Sequence, residues 1–173
     1  MLRLLTANLE LLDAALEGDE ELARALGHPV VPGWATFEEA LAPTRAALAD
    51  DPGEGRWGTR LFLAGDPPEL VGWGGFKGPP ANGVVELGYE IAESRRGQGL
   101  ATDAVAAMLE QAFASPEVES VIAHTLAERN ASNRVLEKAG FDHDGEAQDD
   151  GQSVWLFTLR REPTPPRGSP PPP

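Results

Sequence analysis

The chain has no cysteine. Disulfides, thiolate metal ligands and a cysteine nucleophile are therefore excluded at the outset. Its three histidines, His28, His124 and His143, are scattered without metal-ligand spacing, so no metal is expected. Basic residues are scarce, with 14 Lys plus Arg against 28 Asp plus Glu, a net charge of −14. A field of that sign repels nucleic acid and anionic membranes and attracts cations and amines. No apolar run approaches the length needed to cross a bilayer. The opening "MLRLLTANLELLDAALEGDEE" has one arginine and then turns acidic with helical periodicity, so no signal peptide is read and a cytoplasmic location is expected.

What is present is ordinary for a soluble domain. A chain of 173 residues, 41% of them hydrophobic, can bury one core of its own. The segment 162–173, "EPTPPRGSPPPP", places seven prolines in twelve residues and has almost nothing apolar to bury. It is expected to be a disordered or polyproline-II tail after a single domain at 1–161.

Within that domain, residues 7–17 and 19–26 read as short helices, the second capped by Asp19 and closed by Gly27. "TFEE" is a capping-box pattern, Thr36 with Glu39, opening a further helix that Pro43 breaks or restarts and that ends near Asp50. "TRLFLAG" and "ELVGWGGF" read as strands around the turn signal "DPP", and Asn82–Gly83 precedes a third, "VVELGYEIA". A helix follows from about Gly99 to Ala114, with Leu100, Ala104, Val105, Met108, Leu109, Ala112 and Phe113 on one stripe. "VESVIAHT" is a strand, "SNRVLEKAG" a short helix ended by Gly140, and "SVWLFTL" a last strand. This order describes a mixed α/β domain built on a central sheet.

The most informative stretch is "ELGYEIAESRRGQGLATDAVAAMLEQAF". Arg95 and Arg96 stand beside Gly97 and Gly99 where a strand turns into a helix. Glycines let the backbone turn tightly, and the helix start presents unpaired N–H groups and a positive dipole end. With Arg96 as a charge-assisted donor, the combination suits a phosphate or pyrophosphate, made locally favourable in an acidic protein. It is not a Walker loop, because Thr102 follows Ala101 rather than a lysine. A Rossmann fingerprint would need glycine at position 102 and an acidic residue after the next strand, where this chain has His124–Thr125. A nucleotide-dependent oxidoreductase is accordingly set aside.

"RGQGLA", Arg96 to Ala101, resembles the Arg/Gln-x-x-Gly-x-Gly/Ala signature of the GCN5-related N-acetyltransferases (GNAT). "ERNASNRVLEKAGF", Glu128 to Phe141, resembles that family's Asn-x-x-Ser/Asn block ending in Gly-Phe. The likeness spans Val84 to Phe141 closely and is nearest the branch of ribosomal-protein and small-amine acetyltransferases. It implies an acyl-CoA N-acyltransferase fold, with a mostly antiparallel central sheet, splayed strands and flanking helices. It also implies an acetyl-CoA-dependent N-acetyltransferase, in which a primary amine, of a small molecule or a protein N-terminus, attacks the thioester directly with general-base help. A catalytically degenerate module that binds acyl-CoA as a sensor or partner is the alternative.

Carried over by position, the resemblance gives the backbone of Ile91 and Ala92 to the pantetheine arm. Arg96, Gly97, Gln98, Gly99, Ala101 and Thr102 go to the pyrophosphate, and Asn130 and Asn133 to the pantetheine or nearby cofactor. Asn130 reads equally as a helix cap. An alkyl ammonium must lose a proton before attack, and Glu86 is the candidate base, with a carboxylate that binds substrate as the competing role. Glu90 shares its face. The leaving thiolate needs a donor, and where many relatives have Tyr this chain has Leu136. Ser132 is the proposed substitute, with Tyr89, the only tyrosine, behind it. Trp34 and Glu90 are assigned to the acceptor, which the net charge suggests is cationic. Lys77 and Asp149 or Asp150 read as surface groups and His124 as packed. Homodimerisation is common in the resembled family and is left open.

Overall fold

The computed structural model describes residues 1–149 and 151–162, the side chains of residues 53 and 54 apart. Asp150 and the proline-rich segment from residue 163 onward, with the roles suggested for them, lie outside the described residues. The elements run β1 (Arg3–Thr6), α1 (Leu9–Glu17), α2 (Asp19–Leu26), α3 (Leu41–Asp50), β2 (Thr59–Gly65), β3 (Pro68–Phe76), β4 (Val84–Ile91), α4 (Leu100–Phe113), β5 (Ser120–Leu126), α5 (Ala131–Lys138), β6 (Asp142–Asp149) and β7 (Gln152–Arg160). Among the described residues no helix is long and apolar enough to cross a membrane.

All seven strands join one sheet in the order β1-β2-β3-β4-β5-β7-β6, antiparallel except where β4 meets β5. That one parallel contact requires a crossover, and α4 supplies it. It is also short. Only Val84–Ser120, Val85–Val121 and Glu86–Ile122 are paired, after which the strands part although each runs on. The sheet therefore opens into a gap between the second half of β4 and β5.

Two cores cover the two faces. Val85, Leu87 and Ile91 of β4 and Val121 and Ala123 of β5 pack with Ala104, Val105, Met108 and Ala112 of α4. On the other face Leu61, Leu63, Leu70 and Trp73 pack with Leu11, Leu12, Leu22, Trp34 and Leu41 from the N-terminal helices. The apolar stripe expected for α4 is the one buried, with Leu100 and Phe113 at its partly exposed ends. Alternation along each strand, period two, sends neighbouring residues to opposite cores.

Two local expectations are corrected and one strand is added. β1 was unread because four residues, RLLT, carry no usable periodicity; pairing with β2 makes them a strand. Asp19 does not cap α2, whose N-cap is Gly18; its carboxylate instead accepts Trp34 Nε1–H at 2.9 Å. Thr36 and Glu39 form no capping box, since the short 3-10 turn Glu38–Ala40 starts at Phe37 without a side-chain cap and Thr36 is committed elsewhere. Pro43 sits in the first turn of α3, where its missing N–H costs nothing.

β4 is seated against β3 with no room for side chains between. A Cβ added to Gly74 would lie 2.6 Å from Gly88 O and 2.8 Å from Phe62 Cζ, and one on Gly72 would collide with Glu90 O. Backbone cannot yield as a flexible side chain can. Gly74→Ala is expected to cost about 1–3 kcal/mol of stability through overpacking. Urea unfolding should show a lower midpoint at unchanged slope.

Candidate active site

After β4, Ala92 leads into a 3-10 turn, Glu93–Arg95, and then the glycine loop. Gly97 and Gly99 hold φ of 76° and 80°, a region closed to most side chains, and no neighbour lies within 4 Å of a Cβ added at either. Their need for glycine is thus conformational and leaves open space outside. Gly99 caps α4 without a side-chain hydrogen bond, and the first helical bond runs from Asp103 N to Gly99 O at 3.0 Å. Consequently the amides of Leu100, Ala101 and Thr102 precede the helix ladder. Residues 96–99 are exposed. The two arginines divide the work. Arg95 pairs with Glu69 of β3, whereas Arg96 Nε donates to Ile91 O at 3.2 Å and keeps its remaining guanidinium exposed at the loop. An anionic group would find several N–H donors, a dipole end and one arginine here, so the residues fit a pyrophosphate.

Beside this loop is the gap between β4 and β5. Ala92 N–H is spent on Val71 O (2.8 Å), on the β3 side, while Ile91 O faces the arginine. The far wall of the gap is the start of α5. Asn130 caps that helix, with Asn133 N donating to Asn130 Oδ1 (3.1 Å) and Asn130 N to Asn133 Oδ1 (2.7 Å). Asn133 Nδ2 also donates to Thr125 Oγ1 of β5 at 2.8 Å, and the residue is only 3% exposed. The structure places Asn133 as an anchor of α5 on β5, its amide buried and engaged. Asn130 is the capping residue and lies at the rim. Tyr89, projecting from β4 into the α4-side core, reaches α5 with its hydroxyl 3.4 Å from Ser132 O. Burial pushes its phenol up to about 12 against the weaker opposing effect of that contact. Leu136 is fully buried and offers no donor.

The opposite face of the gap is polar. Glu86 Oε1 accepts from Lys77 Nζ at 2.5 Å and lies 2.9 Å from His124 Nδ1. Lys77 in turn lies 3.9 Å from Asp149 Oδ2. Burial alone would raise the Glu86 carboxyl, but the hydrogen bonds from Lys77 and His124 outweigh it and hold the group below its ordinary value. Lys77 also lines a cleft of about 330 Å³ that runs between α3 and the ends of β2 and β3. Neither Lys77 nor His124 was assigned to the site from sequence. The only signal was their residue type, since the partners are nine and 38 positions away from Glu86.

Trp34 and Glu90 have other employment. Trp34 is 4% exposed and packs edge-on against Trp73 with ring centroids 6.0 Å apart. It belongs to the core on the N-terminal-helix face of the sheet. Glu90 accepts from Thr36 N (3.0 Å), Thr36 Oγ1, Phe37 N (3.3 Å) and Trp73 Nε1. The carboxylate pins the segment at 36–37 to the sheet.

This arrangement has relatives. The family model for the acetyltransferase (GNAT) domain matches residues 1–142. The chain belongs to the GNAT acetyltransferases. The uncharacterized N-acetyltransferase YjdG of Bacillus subtilis (strain 168) is 31% identical over 143 residues, 81% of this chain and 85% of that protein. Among solved structures, the GNAT fold recurs in the aminoglycoside acetyltransferase AAC(6')-Ib with coenzyme A, at TM-score 0.66 and 19% identity, covering 93% of this chain and 95% of that one. RimL, a ribosomal alpha-N-protein acetyltransferase with coenzyme A, has TM-score 0.66 and 19% identity over 92% of this chain and 93% of its own. For this GNAT chain the expected fold, a mostly antiparallel sheet splayed between two strands, is the fold observed.

A carboxyl held below its ordinary value when folded stabilises the protein above the unfolded value of 4.5, and that contribution is lost as pH falls through the lower folded value. Glu86→Gln is therefore expected to lower the melting temperature at pH 7, with the deficit closing as the pH is taken below 4.5. Thermal scans of both proteins across this range test it; a deficit that stays constant with pH would contradict the assignment.

Proposed function

We propose that this chain transfers the acetyl group of acetyl-CoA to a primary amine by direct attack. The observation that carries the reading is the opening between β4 and β5, flanked on one side by the uncapped α4 N-terminus and on the other by the Glu86–His124 pair. Acetyl-CoA would supply the activated acetyl group. Arg96 and the amides from Gly97 through Thr102 would hold its pyrophosphate, and the edges of Ile91 and Asn130 would border the pantetheine arm.

The chain's own residues then divide the proton traffic. On the N-terminal-helix face, the amine meets Glu86 with His124, where its proton is removed. On the α4 face, Tyr89 and Ser132 stand together at the start of α5; the phenol stays protonated throughout the neutral range, and its one O–H, directed at Ser132 O, would turn to hydrogen-bond the departing sulfur. Tyr89 is the better placed of the two, because its hydroxyl reaches across the gap from β4. Bond formation between amine nitrogen and acetyl carbon accompanies cleavage of the carbon–sulfur bond; the amine gives its proton to the base, and the sulfur leaves as a thiolate that accepts a hydrogen bond.

The acceptor is read from charge. A protein at −14, with Glu86 and Asp149 facing one lysine ammonium, favours a cationic amine. Aminoglycosides and protein N-termini, the acceptors named for AAC(6')-Ib and RimL, are both of this class, as are polyamines.

Calorimetric titration with acetyl-CoA tests the donor half. Micromolar binding is expected, and Gly99→Glu, which adds a carboxylate at a positive-φ glycine, should abolish it while circular dichroism shows a folded protein. Failure of the folded wild type to bind would sink the reading. Thiol release is then followed with spermidine, kanamycin and a peptide with a free N-terminus. Tyr89→Phe is expected to lower kcat by about 100-fold at unchanged acetyl-CoA affinity. Binding without thiol release from any amine would favour the acyl-CoA-binding module instead.

A further inference from the structure

Glu86 has been considered as the base, yet its surroundings argue against that role. Lys77 and His124 both donate to the same oxygen, Oε1. A carboxylate whose charged form already accepts from an ammonium and an imidazole is a poor proton acceptor. It is, however, well suited to orient an imidazole.

His124 lies on β5, two positions beyond Ile122, the last residue paired with Glu86 of β4. By strand alternation Ile122 and His124 share one face, opposite Val121 and Ala123 in the α4-side core. The imidazole thus stands where β4 and β5 have already separated, and its contact with Glu86 bridges the gap on the acceptor face. Donation from Nδ1 to the carboxylate places the ring proton there and leaves Nε2 with its lone pair. Among the described residues Nε2 has no protein partner, and the side chain is 21% exposed, open enough to be reached.

We infer that His124 Nε2 is the group that accepts the proton of the attacking amine, and that Glu86 is its positioning residue. The assignment rests on the transfer reading above. The N–H proton of the amine passes to Nε2 as the nitrogen bonds to the acetyl carbon. The resulting imidazolium is stabilised by Glu86, whose own protonation state does not change. Glu86 faces the ring from β4, Lys77 from the segment after β3 lies on the same carboxylate oxygen, and Asp149 of β6 touches Lys77; Leu156 beside it on β7 is apolar.

The decisive experiment follows kcat against pH for wild type, His124→Gln and Glu86→Gln, using whichever of spermidine, kanamycin or the N-terminal peptide releases thiol. Acetyl-CoA affinity is measured calorimetrically for each protein. Wild type should show an acid limb, since protonating the base removes its lone pair. His124→Gln should lose that limb and about 100-fold in kcat, with acetyl-CoA affinity kept. Glu86→Gln should keep the limb but displace it to lower pH, because the imidazolium has lost its carboxylate. Retention of the wild-type limb in His124→Gln overturns the inference.

A second measurement does not depend on turnover or on a folded variant. Nitrogen-15 NMR of the wild-type histidine rings, with His124 assigned, reports the tautomer. Nδ1–H with an unprotonated Nε2 supports the assignment, and the reverse tautomer overturns it. If acetyl-CoA binds and no amine reacts, the transfer reading fails, and this tautomer still decides whether His124 carries a basic Nε2.

Discussion

Two neighbouring parallel strands that share three residue pairs and then separate set the terms for everything else in this molecule. A gap inside a sheet leaves backbone groups without partners, and such groups must be satisfied or exposed. β4 is therefore held hard on its other side. Gly72 and Gly74 let β3 approach more closely than any side chain would permit. Ala92 N–H is tied to Val71 O, and Arg96 takes up Ile91 O at the mouth of the opening. On the β5 side, Asn133 couples α5 to Thr125. The opening is maintained by rigid walls rather than by a loose strand.

The crossover that a parallel pair demands then places chemistry at the opening. α4 must begin beside the end of β4, so its uncapped N-terminus and glycine loop meet the gap by topology alone. In a protein with net charge −14 this is a local inversion of field. Salt-bridging of Arg95 to Glu69 leaves Arg96 as the arginine presented at the loop. Strand alternation separates the remaining functions. Tyr89 goes to the α4 side, and Glu86 and His124 go to the other. One sheet, two residues per repeat, keeps the Glu86–His124 pair and the Tyr89 hydroxyl on opposite faces of the same slot.

The sequence made the backbone-determined features readable, and partner choice was the part it concealed. Gly97 and Gly99 announce positive φ, Asn82–Gly83 marks the turn before β4, and the α4 stripe has a period that only a helix satisfies. These are properties of adjacent residues. By contrast Thr36 was read with Glu39, three positions on, when its partner is Glu90, 54 positions away. Asp19 was read as a cap when Trp34 claims its carboxylate. Trp34 and Glu90 are residue types that suit a cationic acceptor, and no spacing in the sequence records that both also fix the segment before α3 against the sheet. Lys77 and His124 look like an ordinary surface lysine and a packed histidine until Glu86 joins them. Local pattern predicts local geometry; long-range hydrogen bonds depend on register that no spacing records.

Leu136 is the instructive departure. The capping interaction of Asn130 with Asn133, and the bond from Asn133 to Thr125, turn that side of α5 inward and leave Leu136 completely buried. A hydroxyl there would need a partner inside an apolar core, which costs more than a leucine that simply packs. The phenol is instead carried by β4, where Tyr89 has a carbonyl of α5 within reach. Burial that raises its pKa to about 12 fixes its character as a hydrogen-bond donor at neutral pH. A group of that kind stabilises a sulfur gaining negative charge without itself ionising. The one tyrosine the chain possesses thus lines the opposite wall of the gap, where the proposed transfer would use it.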